Sequence, residues 1–203
     1  MIERVAERLV SAIYYTSPYR WLDLIFERSG IESNKKQRYR YMISEIYILG
    51  WLGMSVIFLL ISQWLSILFV YFLMPRVIEI FNKELCVVLF KKCKITQGER
   101  VSNYARVIIL AFANYLTAGL LFALLYTKVG TYQLDTAASP LPLKHAAMES
   151  LSILFTLSPA YDPLDFQTRA ITMAEAGFCF IFGILVISTF IGLIRLDSDT
   201  RKG

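Results

Sequence analysis

The chain has 203 residues, a hydrophobic fraction of 56%, a charged fraction of only 18% and a net charge of +5. A soluble domain usually carries about a quarter charged residues, whereas this chain contains long uncharged runs at 46–75, 107–127 and 176–194. Apolar runs of about 18 or more residues are typical of membrane-spanning helices, so the composition excludes a cytosolic enzyme, a disordered tail and a secreted disulfide scaffold, and it predicts an all-α integral membrane protein.

Residues 1–43 form a region that we expect in the cytosol or on the membrane surface. Its apolar residues recur with helical spacing at Ile2, Val5, Ala6, Leu9 and Ile13. This pattern predicts amphipathic helices that lie on the membrane or pack on another part of the assembly. Basic residues here and further along the chain are expected to contact lipid headgroups or a cytosolic protein, namely Lys35, Lys36, Arg38, Arg40, Lys91, Lys92 and Lys94.

The first apolar region, residues 44–82, is too long for one upright helix. Thirty uncharged residues would make a helix about 45 Å long, against a hydrocarbon core of about 30 Å. We expect a hairpin of two helices, 44–61 and 65–81, that turns at Ser62, Gln63 and Trp64, with Arg76 and Glu79 reaching toward the cytoplasmic surface. One long tilted helix kinked at Pro75 is the alternative.

The placement of basic residues predicts the topology, because Lys and Arg accumulate on the cytoplasmic side. Residues 128–170 contain only three Lys or Arg, whereas the N-terminal region, the basic segment 83–104 and the tail 196–203 are richer. Four crossings, favoured over three, place all the basic segments inside. We therefore expect a multi-pass protein of a prokaryotic inner (plasma) membrane, with both termini cytoplasmic.

The second half of the chain, residues 105–195, has the layout of a pore module. Its expected parts are an outer helix 105–127, a turret 128–144, a pore helix 145–157, a filter-like loop 158–163 and an inner helix 170–195. The pore helix is too short to span the membrane and too apolar to stand free outside it. This layout indicates a re-entrant segment, because a short helix is followed by a return interrupted by proline and then by a full span. The non-helical backbone of such a segment must be buried by protein or line water.

These parts resemble the pore module of the potassium-channel superfamily. Glu149–Ser158 is similar to the pore helix and the start of the filter, Tyr161 and Asp162 to the tyrosine and aspartate of the filter, and Pro163, Arg169 and Ala170 to the approach to the inner helix. The resemblance implies a homotetramer with filter-like positions at Thr156, Ser158, Ala160, Tyr161, Asp162 and Asp165. It also implies structural or gating roles for Glu149, Glu175, Gly177 and Gly183.

The filter-like loop departs from the family pattern, because Thr156–Asp162 has seven residues instead of nine and lacks both glycines. A filter built of carbonyl oxygens needs positive φ, which glycine adopts without steric cost but Ala160 and Asp162 do not. We therefore expect a poorly selective or gated pore, or a closed plug, and no potassium filter. Carboxylates at Asp162 and Asp165 would attract cations.

Other chemistry has little support in the sequence. Glu175 is expected to bond behind the pore helix to Ser150, Ser152 or a free backbone N–H. His145 and Glu149 share a helix face, but two groups do not make a metal site, and we predict no enzyme, cofactor or direct nucleic-acid binding.

The alternative function is a non-conducting membrane sensor or scaffold that recruits a cytosolic effector. In size and expected four-span layout the chain resembles the membrane subunit of the Kiwa antiphage defence system. That resemblance concerns architecture and involves no motif.

Overall fold

The computed structural model describes the backbone of residues 33–88, 104–134 and 137–200, with side chains over 42–82, 106, 108–133 and 139–187. The expected amphipathic helices of residues 2–28 and the lysines at 91, 92 and 94 lie outside the described residues. So do the side chains of the basic residues at 35, 36, 38 and 40, although helix α1 includes their backbone.

The described chain is mostly helical. Its elements, in order, are α1 (Ser33–Leu60), a 3-10 turn (Ser62–Trp64), α2 (Ile67–Leu73), α3 (Pro75–Val88), α4 (Tyr104–Tyr126), β1 (Tyr132–Leu134), β2 (Ala137–Ser139), α5 (Leu143–Thr156) and α6 (Phe166–Thr200). Strands β1 and β2 form a small antiparallel hairpin within the stretch expected to be an irregular turret.

Three helices among the described residues are long and apolar enough to cross a membrane. The apolar segments are Met42–Leu60 in α1, Ile108–Tyr126 in α4 and Phe166–Ile187 in α6. This finding confirms the prediction of a helical membrane protein.

The first apolar run is interrupted at Ser62–Trp64. After the 3-10 turn the backbone is extended at Leu65, and Ser66 begins α2 by accepting a hydrogen bond from the Phe69 N–H at 3.2 Å. One continuous helix kinked at Pro75 is therefore wrong. The returning segment is also not one helix, because α2 ends at Leu73 and α3 begins at Pro75, whose ring nitrogen has no N–H to donate.

Helices α1 and α4 run in the same direction. Arg106, near the start of α4, forms an ion pair with Glu45 of α1. Further along both helices, the guanidinium of Arg76 lies 5.3 Å from the Trp51 ring and donates to the Asn114 side chain at 3.4 Å. Trp51 follows Glu45 on α1, and Asn114 follows Arg106 on α4. Because the contacts advance in the same direction along both helices, α1 and α4 are parallel.

The segment α2–α3 runs back along α1 in the opposite direction. Phe69 packs edge-on against Phe58 at 5.4 Å, and Glu79, ten residues later, accepts hydrogen bonds from the Tyr47 hydroxyl at 3.1 and 3.2 Å. As the chain advances through α2 and α3, its partners on α1 move toward the start of α1. The segment α2–α3 is therefore antiparallel to both α1 and α4.

Arg76 and Glu79 do not reach toward a surface, which corrects the prediction made for them. They are only 5% and 7% exposed, and Arg76 Nη1 lies 2.7 Å from Glu79 Oε2. The Arg76 guanidinium also lies 4.6 Å from the centre of the Tyr47 ring. A buried charge persists when it is paired, and here the partners of Arg76 come from α3 itself, from α1 and from α4.

Helices α5 and α6 both run antiparallel to α4. The Leu141 N–H, just ahead of α5, donates to the Tyr126 carbonyl at 3.1 Å at the end of α4. On α6, Phe178 and then Phe182 pack against Tyr115 at 6.4 and 5.1 Å. The buried core is formed mainly by α4, which packs against α1, the returning segment, α5 and α6.

Candidate functional site: the loop after helix α5

Helix α5 descends along α4 to about the middle of its apolar segment. The Ser150 hydroxyl lies 2.7 Å from the Gly119 carbonyl, and the Tyr115 hydroxyl donates to the Leu154 carbonyl at 2.6 Å. Gly119 and Tyr115 precede the end of α4, at Tyr126, by about 10 and about 16 Å along the helix axis. The C-terminal end of α5 therefore lies beside the middle of a helix that is apolar enough to span a membrane.

Helix α5 ends in a left-handed residue. Leu157 has φ of 57°, and its N–H donates to the Ile153 carbonyl at 2.9 Å. The Ser152 hydroxyl then donates to the Ser158 carbonyl at 2.9 Å, which fixes the first step of the chain away from the helix. We call residues 157–164 the mouth loop.

The mouth loop returns toward the end of α4 from which α5 started. The Tyr161 ring stacks on His145 in the first turn of α5, with ring centres 5.3 Å apart. Pro163 then pairs with Tyr132, and the Leu164 N–H donates to the Thr131 carbonyl at 2.9 Å. The loop thus starts beside the middle of α4 and ends beyond the end of that helix.

One carboxylate oxygen holds the middle of the mouth loop from behind. Glu149 Oε2 accepts the Ala160 N–H at 2.7 Å and the Tyr161 N–H at 2.9 Å. Glu149 is fully buried, and its other oxygen has no hydrogen-bond partner among the described residues. Burial raises the pKa of Glu149, the two backbone N–H groups oppose this effect, and the charge of Asp162 adds to it.

A second carboxyl group, Glu175 of α6, lies behind α5. Tyr126 donates its hydroxyl to Glu175 Oε2 at 2.5 Å, and the Ser150 oxygen lies 2.5 Å from Glu175 Oε1. Ser150 is one of the partners expected for Glu175 from the sequence. The Ser150 oxygen also contacts the Gly119 carbonyl, yet its hydroxyl has a single proton. All these contacts become hydrogen bonds when Glu175 Oε1 carries a proton and donates it to Ser150.

Asp165 has a different environment from Asp162, although both were expected to face the pore. The Asp165 carboxylate accepts the Thr131 hydroxyl at 2.5 Å and the Thr168 N–H at 2.6 Å, so it caps the start of α6. The hydrogen bond from Thr131, followed by the one from Thr168, lowers the pKa of Asp165. Asp162 is exposed on the mouth loop.

The other expected pore residues divide into an exposed group and a packed one. Thr156, Ser158 and Ala160 are exposed together with Asp162, whereas Tyr161 is half-buried against His145. On α6, Gly177 and Gly183 have no atom close to the position of an added Cβ, so neither marks a tight helix contact within one chain. Within the described residues, no three His, Cys, Asp or Glu side chains form a group that would hold a metal ion.

No family model matches the chain, and neither the curated proteins nor the solved structures give a match. The function is therefore argued from the geometry of the mouth loop. Sequence reasoning named Glu149 as a structural or gating residue but did not predict its contacts with the loop backbone. A glutamate on the apolar helix Leu143–Thr156 was the signal, because a buried carboxylate needs donors.

Proposed function

We propose that the chain assembles as a homotetramer in which four mouth loops surround a water-filled axis, forming a gated or poorly selective ion pore. The observation that carries the proposal is the position of exposed, non-helical backbone beside the middle of α4. Leu157–Ala160 of the loop are all exposed in the single chain, as are Phe155 and Thr156 at the end of α5. They lie where the neighbouring helix has the composition of a membrane span.

The physical reason is the cost of exposing peptide groups to hydrocarbon. An unsatisfied backbone N–H or carbonyl group in lipid costs several kcal/mol, so irregular backbone at membrane depth is covered by protein or lines water. One chain leaves the outer side of its mouth loop uncovered. Further copies around a common axis cover that side and leave a water-filled space between the loops, as the resemblance to tetrameric pore modules implies.

The proposed topology has four crossings, with α2 and α3 together as the second. Parallel helices α1 and α4 require the chain to return between them, and residues 67–88 would cover about 33 Å as helix. That length matches a hydrocarbon core of about 30 Å. The basic segments of the chain then all lie on the cytoplasmic side.

Weak selectivity follows from the backbone of the mouth loop. Ala160 and Asp162 do not adopt positive φ, and Leu157 is the one non-glycine residue that does so within the described part of the chain. The loop therefore lacks the row of alternating conformations that aims successive carbonyl oxygens at a dehydrated ion. The exposed carboxylate of Asp162 remains, and four copies of it would favour cations over anions.

The test is planar-bilayer recording of the purified assembly in a potassium chloride gradient. We expect Asp162→Asn to lower the cation-to-anion permeability ratio about fivefold, which corresponds to the loss of about 1 kcal/mol of attraction for a partly hydrated ion. Gln167→Lys is the matched control, because it makes the same change in net charge at an exposed position outside the loop. It should leave the ratio within about twofold of the original value.

The outcome also separates the two proposed functions. Equal effects of the two variants would contradict a pathway past Asp162. Absence of current at every voltage and in every salt, together with co-purification of a defined cytosolic effector, would favour the non-conducting sensor or scaffold.

A further inference from the structure

Glu149 holds the mouth loop from a buried position that has no basic partner among the described residues. Its Oε2 atom accepts the two loop N–H groups, and its Oε1 atom is buried without a partner among the described residues. An orphaned buried acceptor behind the loop is unusual, because nearly all buried polar groups are hydrogen-bonded.

The titratable groups around Glu149 come from each element that packs near it. Asp162 belongs to the loop, Glu175 to α6 and Tyr132 to β1, and all three interact electrostatically with Glu149. His145 lies one turn earlier on α5. No Lys or Arg forms an ion pair with Glu149 within the described residues, so an ionised Glu149 is a buried charge held only by two backbone N–H groups.

We propose that Glu149 is the positioning residue of the mouth loop, and that it holds the loop most firmly when it carries a proton. Protonated Glu149 keeps Oε2 as the acceptor for Ala160 and Tyr161, and its Oε1 atom no longer carries a share of a buried negative charge. The proton comes from the aqueous solution and returns to it, and no other bond is made or broken.

Loss of that proton loosens the loop for an energetic reason. The ionised carboxylate is buried with two other acidic groups near it and no cation, which is a costly arrangement. Water that enters behind the loop relieves this cost, and it enters only when the loop moves away. The sign agrees with the raised pKa of Glu149, because the state in which the carboxyl group is buried binds the proton more tightly than a hydrated state does.

The first experiment measures the loop and does not depend on conduction. Hydrogen–deuterium exchange of the full chain in lipid nanodiscs is followed at about pH 5 and about pH 8, a window above the ordinary Glu pKa of about 4.3. After correction for intrinsic exchange rates, we expect protection of the Ala160 and Tyr161 amides to fall about tenfold at the higher pH. The Ile153 amide, inside α5, should keep its protection.

The Glu149→Gln variant provides the sharpest comparison. Its amide oxygen accepts the same two N–H groups, and it has no charge to gain. We therefore expect this variant to show, at both pH values, the amide protection that the wild type shows at low pH. His145→Gln on α5 and Glu175→Gln on α6 remove the two other candidate proton sites; both side chains support the loop or its helix, so overall protection changes, but the fall in protection between low and high pH should persist in both variants.

A second measurement rests on the proposed function. In bilayers, the open probability of the wild type should rise with external pH, whereas Glu149→Gln should stay at the value of the low-pH wild type. Wild-type protection that does not change with pH would overturn the inference, as would a Glu149→Gln loop that exchanges faster than the wild type. A silent bilayer with the expected exchange pattern would overturn the proposed pore and leave the role of Glu149 in place.

Discussion

At the scale of single residues, the buried pair of Arg76 and Glu79 shows how the helical core accommodates charge. Each charge is nearly inaccessible, and the pair is completed by Tyr47, Asn114 and the face of Trp51. Such a pair adds little net stability when both members are present. Removal of one member is costly because the other charge is left buried.

We predict that Arg76→Met lowers the free energy of unfolding by about 3–5 kcal/mol, since Glu79 loses its cation. The double variant Arg76→Met with Glu79→Met should recover most of this loss. Denaturant titration in detergent, followed by helical circular dichroism, measures both. If the double variant is as unstable as the single one, the pair does not act as a compensated unit.

Leu157 shows how far residue types alone predict the mouth loop. The missing glycines indicate that no row of left-handed residues forms, and Ala160 and Asp162 indeed lack positive φ. The one left-handed residue is a leucine, which has no preference for that conformation. Its φ is imposed by the end of α5 and the return of the chain toward Thr131, so residue type did not predict it.

At the scale of elements, close contact between α4 and α5 depends on Gly119. A Cβ atom there would lie 3.1 Å from Leu154 Cδ1 and 3.4 Å from Ser150 Oγ. Ser150 also contacts the Gly119 carbonyl and Glu175, so displacement of α5 would disturb the polar contacts behind the mouth loop. Small residues at helix contacts have this role in membranes.

We predict that Gly119→Ala destabilises the protein by about 1–3 kcal/mol, the usual cost of overpacking a close contact. Gly53→Ala is the matched control on α1, where an added Cβ meets no atom within 4 Å. It should be neutral or stabilise by up to about 1 kcal/mol, because alanine favours helix more than glycine does. Thermal unfolding in one detergent compares the two, and a larger loss for Gly53→Ala would contradict the assigned contact.

The break at Ser62–Trp64 lies at the residues from which the sequence predicts a turn. The local signal for this turn was sufficient. It was a pair of polar residues beside an interfacial aromatic residue, within an apolar run that is too long for one membrane span. The second break, between Leu73 and Pro75, was foreseen only as a kink in a rival single helix. Proline indicates that a helix is disturbed, but it does not specify whether the helix bends or restarts.

At the scale of the whole molecule, the parallel arrangement of α1 and α4 has a direct consequence for topology. In the proposed topology the loops that follow the two helices lie on the same side of the membrane, and the sparse basic charge of residues 128–170 predicts that this side is the outer one. Gln63 follows α1 and Gln133 follows α4, and both are exposed.

We predict that single cysteines placed at Gln63 and Gln133, in a chain without its natural cysteines, react with a membrane-impermeant maleimide in intact cells. Cysteines at Ser33 and Ser198, near the other ends of α1 and α6, should react only after the cells are permeabilised. Labelling of Gln63 and Gln133 from opposite sides would mean that α2 and α3 do not cross the membrane.

The sequence by itself determined that this is a helical membrane protein with apolar spans in α1, α4 and α6, because the length and charge of a hydrophobic run are local properties. Only the tertiary structure decided that Arg76 and Glu79 are buried, that α1 and α4 are parallel, and that Glu149 holds the mouth loop. Some of these features join residues that lie far apart in the chain, such as Arg76 and Asn114, which are 38 positions apart. Others join a side chain to backbone amides, and every residue type except proline offers the same amide, so the sequence does not mark the contact. Their formation depends on which helix faces pack together, which no local pattern specifies.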